Sequence, residues 1–212
     1  MKASSLNALR TGAVLLVFSI IGTALLASTF NATRPAIEHN EQEAKLALIR
    51  QVLPSTMFDN NLLSDARSLP ADDLLGTRKP STAWIARQQG KPSGLVLEAI
   101  APDGYSGEIA LLIGVAASGE VTGVRVTAHK ETPGLGDYIE IAKSRWIEQF
   151  MGKSLATPPE SKWKVHKDGG DFDSVAGATI TPRAVVKAVK SALDYFVRHQ
   201  AELLAPSPVG PS

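Results

Sequence analysis

Apolar residues dominate the chain near its beginning, where no charged residue occurs from Thr11 to Thr33. A helix needs about 20 apolar residues to cross the hydrocarbon core of a bilayer, so this segment predicts a membrane span over residues 11–33. A cleaved signal peptide has a shorter apolar region of about 7–15 residues, which favours an uncleaved anchor. A small-residue cleavage site near Ala27 and Ser28 leaves cleavage as the alternative.

Few charges decide the orientation of this predicted span. Lys2 and Arg10 precede it, whereas Arg34 and Lys45 follow it. A short basic tail directly before a span tends to stay in the cytoplasm. We therefore expect residues 1–10 to form a cytoplasmic tail and the rest of the chain to be exported.

Behind the span, the pattern of apolar and polar positions predicts a stalk over residues 34–80. A helix is predicted from Pro35 to Leu53, because apolar residues recur between its charged ones and Pro54 ends it. Residues 60–80 are polar and interrupted by prolines, which favours a loop with a short helix.

Four strands are predicted next, from apolar runs and alternating patterns bounded by turn residues. They are Thr82–Arg87, Gly94–Ala101, Ile109–Ala117 and Val121–Ala128. The last three are separated by short turns, which predicts an antiparallel meander. Further along, Tyr138–Met151 is predicted as a helix and Trp163–His166 as another strand.

The last predicted helix has the clearest pattern in the chain. Its apolar residues recur at helical spacing: Val185, Ala188, Val189, Ala192, Leu193 and Phe196. Thr181 followed by Pro182 predicts a hydroxyl N-cap and a proline in the first turn. A domain is thus predicted over residues 81–204, with a disordered tail over 205–212. The fold class is α+β, a twisted antiparallel sheet flanked by helices.

The composition narrows the chemistry that this domain can perform. The chain has no cysteine, which excludes disulfides, thiolate nucleophiles and iron–sulfur clusters. Its 22 Lys and Arg nearly balance its 21 Asp and Glu, so nothing indicates a nucleic-acid partner. The histidines lack metal-ligand spacing, and no nucleophile–base pair is apparent, so neither a metal site nor a catalytic residue is predicted. An anchored hydrolase is therefore disfavoured.

Two glycine-containing segments stand out, HKETPGLGD at 129–137 and DSVAGATIT at 173–181. Gly177 permits backbone conformations that are closed to other residues. Thr179 lies near the start of the last helix, where free N–H groups favour a phosphate. Each segment alone also has a plain structural interpretation, as a helix cap and as a strand-to-helix connection.

Together, the two segments resemble the paired motifs of the FMN-binding domain family, H-x-E-T-P-G-L-G and D-x-x-[S/T]-G-A-T. Their order, their separation and the single N-terminal span also fit. The stretch GATITPRAVVKAV is particularly similar to the G subunits of Rnf/Rsx ion-translocating electron-transport complexes. The C subunits of sodium-pumping NADH:quinone reductases are more distant relatives. One departure is Ala176, which stands where the motif has Ser or Thr.

The resemblance implies that Thr179 bears FMN through a phosphoester bond, formed by an exported flavin transferase. It further implies that several residues lie around the flavin: Glu131, Thr132, Leu135, Gly136, Gly177, Ala178 and Thr181, with His129 and Tyr105 as additional candidates.

The implied function is electron transfer among the subunits of a membrane complex that couples ferredoxin–NAD electron flow to ion movement. The implied location is the bacterial inner membrane, with the soluble domain on the periplasmic side. The alternative is a flavin-free anchored scaffold that docks other subunits.

Overall fold

The computed structural model describes residues 2–206 of the chain, so the predicted tail lies outside the described residues beyond Pro206. Two compact units make up the chain, Met1–Lys45 and Leu46–Ser212. The described residues of the first unit belong to helix α1, Lys2–Val52, and the second unit contains the end of that helix and all later elements.

Helix α1 is apolar over the predicted span, and its large side chains there are exposed. Among the described residues, one helix is long and apolar enough to cross a membrane, over Arg10–Val52. The hydroxyls of Thr29 and Thr33 donate to backbone carbonyls one turn earlier, so these polar groups find partners within the helix. The predicted span and the predicted helix after it form one continuous helix, with Pro35 inside it.

The second unit is built on a five-stranded antiparallel sheet in the order β1-β2-β3-β4-β5. The strands are β1 Ala66–Leu69, β2 Ser81–Gln88, β3 Lys91–Ala101, β4 Ile109–Ala116 and β5 Val121–Ala128. Each strand pairs with its neighbours in the sequence. The predicted meander and the α+β class are confirmed.

Both faces of the sheet are buried, because successive side chains of a strand point to opposite faces. On one face, Leu97 and Ile113 pack in a cluster with residues of helix α2, Ile180–Leu203. On the other face, Trp84 and Val96 pack in a cluster with the end of helix α1.

The polar segment 60–80 was predicted to contain a short helix, and this is wrong. It contains strand β1, which pairs antiparallel with β2 from Ala66 opposite Trp84 to Leu69 opposite Ser81. Only Leu69 of this edge strand is buried, so the alternation that marks a strand in a sequence is missing.

The predicted helix Tyr138–Met151 is also wrong. Two short 3₁₀ helices occupy this stretch, Asp137–Ile139 and Arg145–Phe150. Ser144 separates them, because its hydroxyl donates to the carbonyl of Tyr138 and accepts from the amide of Trp146. The second helix is thereby capped and starts afresh.

The predicted strand Trp163–His166 is not formed either. Val165 makes a single parallel bridge to Phe172, between 3₁₀ helices at Glu160–Lys162 and His166–Asp168. The apolar side chains that suggested a strand are instead buried in an aromatic cluster. Trp163 and Phe172 have ring centroids 4.9 Å apart, and Phe150 lies 5.0 Å from Phe172.

Candidate functional site

Helix α2 begins at Ile180, with Thr179 in the N-cap position. The Thr179 hydroxyl makes no capping hydrogen bond, and its side chain is only partly buried. The first intrahelical bond runs from the Arg183 amide to the Thr179 carbonyl, so the amides of Ile180 and Thr181 precede it. A hydroxyl and two helix N-terminal amides therefore lie together at this end.

The predicted N-cap role of Thr181 is wrong. Thr181 lies inside the first turn and is 1% exposed. Its hydroxyl donates to the Oε2 atom of Glu131, across 50 residues of sequence. Because this bond directs the Thr181 side chain into the domain, the hydroxyl is turned away from the amides that a cap would bind.

A tight turn leads into the helix. The Ala178 amide donates to the Val175 carbonyl at 3.1 Å, and Gly177 has φ +86°. A positive φ at the third position is what a type II turn requires, and glycine adopts it without steric cost. Ala176, the residue that departs from the motif, is exposed in this turn, so the fold makes no demand for a hydroxyl there.

The Glu131 carboxylate joins three segments of the chain. It is 4% exposed. Its Oε1 atom accepts from the Ser106 amide at 2.9 Å, and its Oε2 atom accepts from the Thr181 hydroxyl. The turn at 102–107, the loop at 129–137 and the first turn of α2 therefore meet at one buried side chain.

Two glycines leave room for this carboxylate. A Cβ atom at position 136 would lie 2.8 Å from Glu131 Oε2 and 3.0 Å from Thr181 Oγ1. A Cβ atom at position 104 would lie 3.0 Å from Glu131 Oε1 and 2.2 Å from the Gly107 carbonyl oxygen. Only residues without a side chain fit beside Glu131 at these positions.

His129 supports the same loop from its beginning. Its Nδ1 atom accepts from the Glu131 amide at 2.9 Å, which places the ring proton on Nε2. The Nε2 atom lies 2.5 Å from Glu140 Oε1 and donates to it. Both ring nitrogens are thus engaged within the protein, and the ring orients the loop.

The tip of the 129–137 loop is exposed. The Thr132 carbonyl accepts from the amides of Leu135 and Gly136, and the Gly134 amide donates to Asp137 Oδ1 at 2.8 Å. These bonds fix the backbone while leaving the Leu135 side chain 53% exposed. The loop therefore presents an apolar side chain to its surroundings on a rigid backbone.

Tyr138 connects this loop to the turn before α2. Its hydroxyl lies 3.4 Å from the Ala178 carbonyl oxygen and 3.4 Å from the Val175 amide. Burial raises the pKa of the Tyr138 phenol, so the hydroxyl keeps its proton and can donate to that carbonyl. The two segments that the sequence singled out are thereby held side by side.

Trp146 and Gln149 hold the beginning of the segment at 173–181. The indole Nε1 of Trp146 donates to the Asp173 carbonyl at 2.7 Å, and the Asp173 amide donates to Gln149 Oε1 at 2.8 Å. The Trp146 ring packs edge-on against Tyr138, with centroids 5.6 Å apart. The loop is therefore anchored at both ends, while its middle, residues 175–177, is exposed.

The structure brings together most of the residues predicted for the site. Glu131, Gly136 and Thr181 are in contact, and Gly177, Ala178 and Thr179 directly precede α2. Tyr105 is 67% exposed and adjoins Ser106. A cavity of about 360 Å³ opens beside the turn at 102–107. Its lining is formed by Ile100, Ser106, Gly107, Glu108, Ala110, Ala128, His129 and Lys130.

Sequence reasoning missed three residues that build the site: Ser106, Tyr138 and Glu140. Ser106 contributes a backbone amide, which no side-chain pattern can indicate. Tyr138 directly follows the glycine-containing loop, and Glu140 lies three residues beyond the end of that loop. For Tyr138 and Glu140, closeness to the motif was the available signal.

The arrangement fits a flavin that carries a phosphate. The Thr179 hydroxyl is not used by the helix, and the amides beside it favour a phosphate. Apolar side chains that are about half exposed lie on the same segments: Leu135, Val175 and Ile180. They provide surface for a flat aromatic ring.

Two protein-family models match this chain and show the class of domain that it contains. A family model described as "FMN-binding domain" matches residues 104–194, which include both glycine-containing segments. A second model, described as "RnfG N-terminal region", matches residues 1–52. The chain thus contains an FMN-binding domain, which follows an RnfG-type N-terminal region in the sequence.

Similarity to whole proteins is more specific. A protein of Shewanella baltica is 47% identical over 197 residues, which are 93% of each chain. A protein of Vibrio cholerae is 48% identical over 194 residues, 92% of each chain. One of Pseudomonas aeruginosa is 48% identical over 204 residues, 96% of this chain and 95% of that one. Each is named as the G subunit of an ion-translocating oxidoreductase complex. The chain belongs to this family of G subunits.

Proposed function

We propose that the chain is a membrane-anchored electron-transfer subunit that carries FMN covalently on Thr179 and works within an ion-translocating oxidoreductase complex. The observation that carries the proposal is the free Thr179 hydroxyl at the N-terminus of α2, directly after an exposed turn and within the region that the FMN-binding domain model matches. The name that the relatives share supports the complex.

The proposed attachment step uses that hydroxyl as the acceptor. Thr179 Oγ1 forms a bond to the FMN phosphorus of FAD, while the pyrophosphate P–O bond breaks, AMP leaves and the hydroxyl proton is released to solvent. An exported flavin transferase is the proposed catalyst. The exposed residues 175–177 give such an enzyme access to the acceptor. The remaining negative charge of the phosphodiester suits the amides of Ile180 and Thr181.

When bound, FMN supplies one- and two-electron transfer chemistry. The protein's part is to hold and orient the flavin, with the side chains of Leu135, Val175 and Ile180 beside it. A covalent bond prevents loss of the cofactor outside the cytoplasm. We place the domain on the periplasmic side of the inner membrane, because Lys2 and Arg10 precede the span.

The test uses the full-length chain, produced with and without a flavin transferase. Intact mass should rise by one FMN less water in the co-produced natural sequence, and not in Thr179→Ala. Thr127→Ala, which removes an exposed threonine outside the site, serves as the matched control and should gain the same mass. A mass gain that persists in Thr179→Ala would contradict the assignment.

The second candidate is a flavin-free anchored scaffold that docks other subunits. It gains support if the natural sequence stays unmodified and lacks flavin absorbance near 450 nm even with the transferase present.

A further inference from the structure

Glu131 was expected to line the flavin, yet the residue is 4% exposed and both carboxylate oxygens are engaged within the protein. Oε1 accepts from the Ser106 amide and Oε2 from the Thr181 hydroxyl. The side chain therefore has little surface to offer a ligand. It lies behind the site and contacts the residues that build it.

We propose that Glu131 is a positioning residue, which holds the first turn of α2, and with it Thr179, in the geometry that accepts FMN. This inference rests on the proposed function, because it concerns the same attachment residue. Thr181 follows Thr179 by two residues within one helical turn. A bond that fixes Thr181 therefore fixes the acceptor hydroxyl as well.

The surroundings of the carboxylate favour this role. Gly136 and Gly104 leave the space that it occupies, since a Cβ atom at either position would lie within 3.0 Å of a carboxylate oxygen. His129 fixes the Glu131 backbone through its amide. The side chain is therefore constrained at its base and at both oxygens, as a positioning group must be.

Four variants separate hydrogen bonding from packing and charge. Thr181→Val keeps the shape of the side chain but removes the donor, and Thr181→Ser keeps the donor. Glu131→Leu removes both acceptors. Glu131→Gln keeps an acceptor for the Ser106 amide and offers an N–H to the Thr181 oxygen, so the connection survives without the charge.

Arg67→Met is the matched control, because it weakens the same helix at its opposite end. Arg67 donates to the carbonyls of Glu202 and Ala205 there. A variant that merely loosens α2 should behave like this control, whereas loss of positioning should be confined to the N-terminal end.

The first measurement follows the attachment of FMN to flavin-free full-length protein, with FAD, Mg²⁺ and a flavin transferase, by in-gel fluorescence. We expect Glu131→Leu and Thr181→Val to react at least tenfold more slowly than the natural sequence. Thr181→Ser and Glu131→Gln should restore the rate to within threefold, and Arg67→Met should stay within threefold. Rates within threefold for Glu131→Leu and Thr181→Val, or an equal loss in Arg67→Met, would overturn the proposal.

The second measurement needs no flavin. Hydrogen exchange of the Arg183 amide, which bonds the Thr179 carbonyl, reports the order of the first turn directly. Exchange should be at least tenfold faster in Thr181→Val and unchanged in Arg67→Met. Unchanged exchange in Thr181→Val overturns the positioning role. If the natural sequence takes up no FMN, the proposed function fails, while the exchange result still decides this inference.

Discussion

Helix α2 is preceded by the N-cap residue Thr179, whose side-chain hydroxyl the helix does not use, and two arginines bind backbone carbonyls at and just beyond its C-terminal end. At the C-terminal end, Arg67 donates to the carbonyls of Glu202 and Ala205, and Arg87 donates to Ala205 as well. Positive side chains there both satisfy the free carbonyls and complement the helix dipole.

At the N-terminal end, the protein holds the helix by a different means. The bond from Thr181 to Glu131 secures the first turn from inside the domain, and the N-cap hydroxyl stays without a capping bond. The first turn of the helix is therefore stabilised without using the Thr179 hydroxyl. An end held from within can keep its outer groups free for chemistry, whereas a capped end cannot.

The largest expected effect comes from Gly136→Ala at the N-terminal end. The new Cβ atom would lie 2.8 Å from Glu131 Oε2 and 2.9 Å from Glu131 Cβ, so the buried contact must separate. We expect a loss of about 1–3 kcal/mol in the free energy of unfolding, the cost of overpacking, together with loss of FMN attachment.

Denaturant unfolding and intact mass check this prediction. Gly134→Ala in the same loop is the reference for backbone strain alone, about 1 kcal/mol at φ +76°, because a Cβ atom there would meet nothing within 4 Å. Full FMN attachment in Gly136→Ala would show that the space beside Glu131 is not critical.

The next largest effect is expected at the C-terminal end, for Arg67→Ala. Loss of two charge-assisted hydrogen bonds to backbone carbonyls should lower the free energy of unfolding by about 1–2 kcal/mol. FMN attachment should be unchanged, since the acceptor lies at the opposite end of the helix. Denaturant unfolding and the attachment assay check the two halves of this prediction. If Arg67→Ala slowed FMN attachment as well as lowering stability, the claim that only the N-terminal end of α2 controls attachment would be wrong.

A smaller effect is expected for Gly177→Ala in the turn before Thr179. The position has φ +86° and open space around it, so the cost is backbone strain of about 1 kcal/mol. Because the strain lies next to the acceptor, FMN attachment should slow by severalfold even though global stability changes little. Ala176→Gly, at the neighbouring exposed position, is the control and should leave the attachment rate within twofold.

The smallest effect concerns pH. Arg183 hydrogen bonds to Asp168 and lowers the pKa of that carboxyl below its ordinary value of 3.8. A carboxyl whose pKa is lowered by folding contributes stability above its unfolded pKa and loses that contribution as pH falls through the folded value.

Thermal midpoints measured from pH 5 down to pH 2 should therefore fall slightly less steeply in Asp168→Asn than in the natural sequence. Both side chains of this pair lie at the surface, so the difference should be small and should shrink in high salt. Identical slopes would mean that the pair does not contribute to folding.

Local patterns predicted the sheet and helix α2 well. The strand β5, Val121–Ala128, matches its predicted bounds, because its alternation of apolar and polar residues reports burial on one face. Helix α2 was found from its apolar stripe. By contrast, β1 buries one residue at the sheet edge, and no pattern in four residues can indicate that.

The candidate site was located from motif and turn chemistry, but its internal contacts were not. Nothing in the sequence indicates that Thr181 bonds Glu131 instead of capping α2, because that bond spans 50 residues and depends on how the 129–137 loop packs against the start of the helix. The helix predicted over Tyr138–Met151 was wrong for a related reason. Its apolar spacing suits a helix, while Ser144 and the aromatic cluster favour two short 3₁₀ helices.

The most direct test of covalent attachment is peptide mapping of the full-length chain, isolated from membranes of cells that produce a flavin transferase. Trypsin should release residues 168–183, which contain Ser174, Thr179 and Thr181. We predict one FMN phosphoester on this peptide, placed on Thr179 by fragmentation. An unmodified peptide, or a flavin on Ser174 or Thr181, would contradict the assignment.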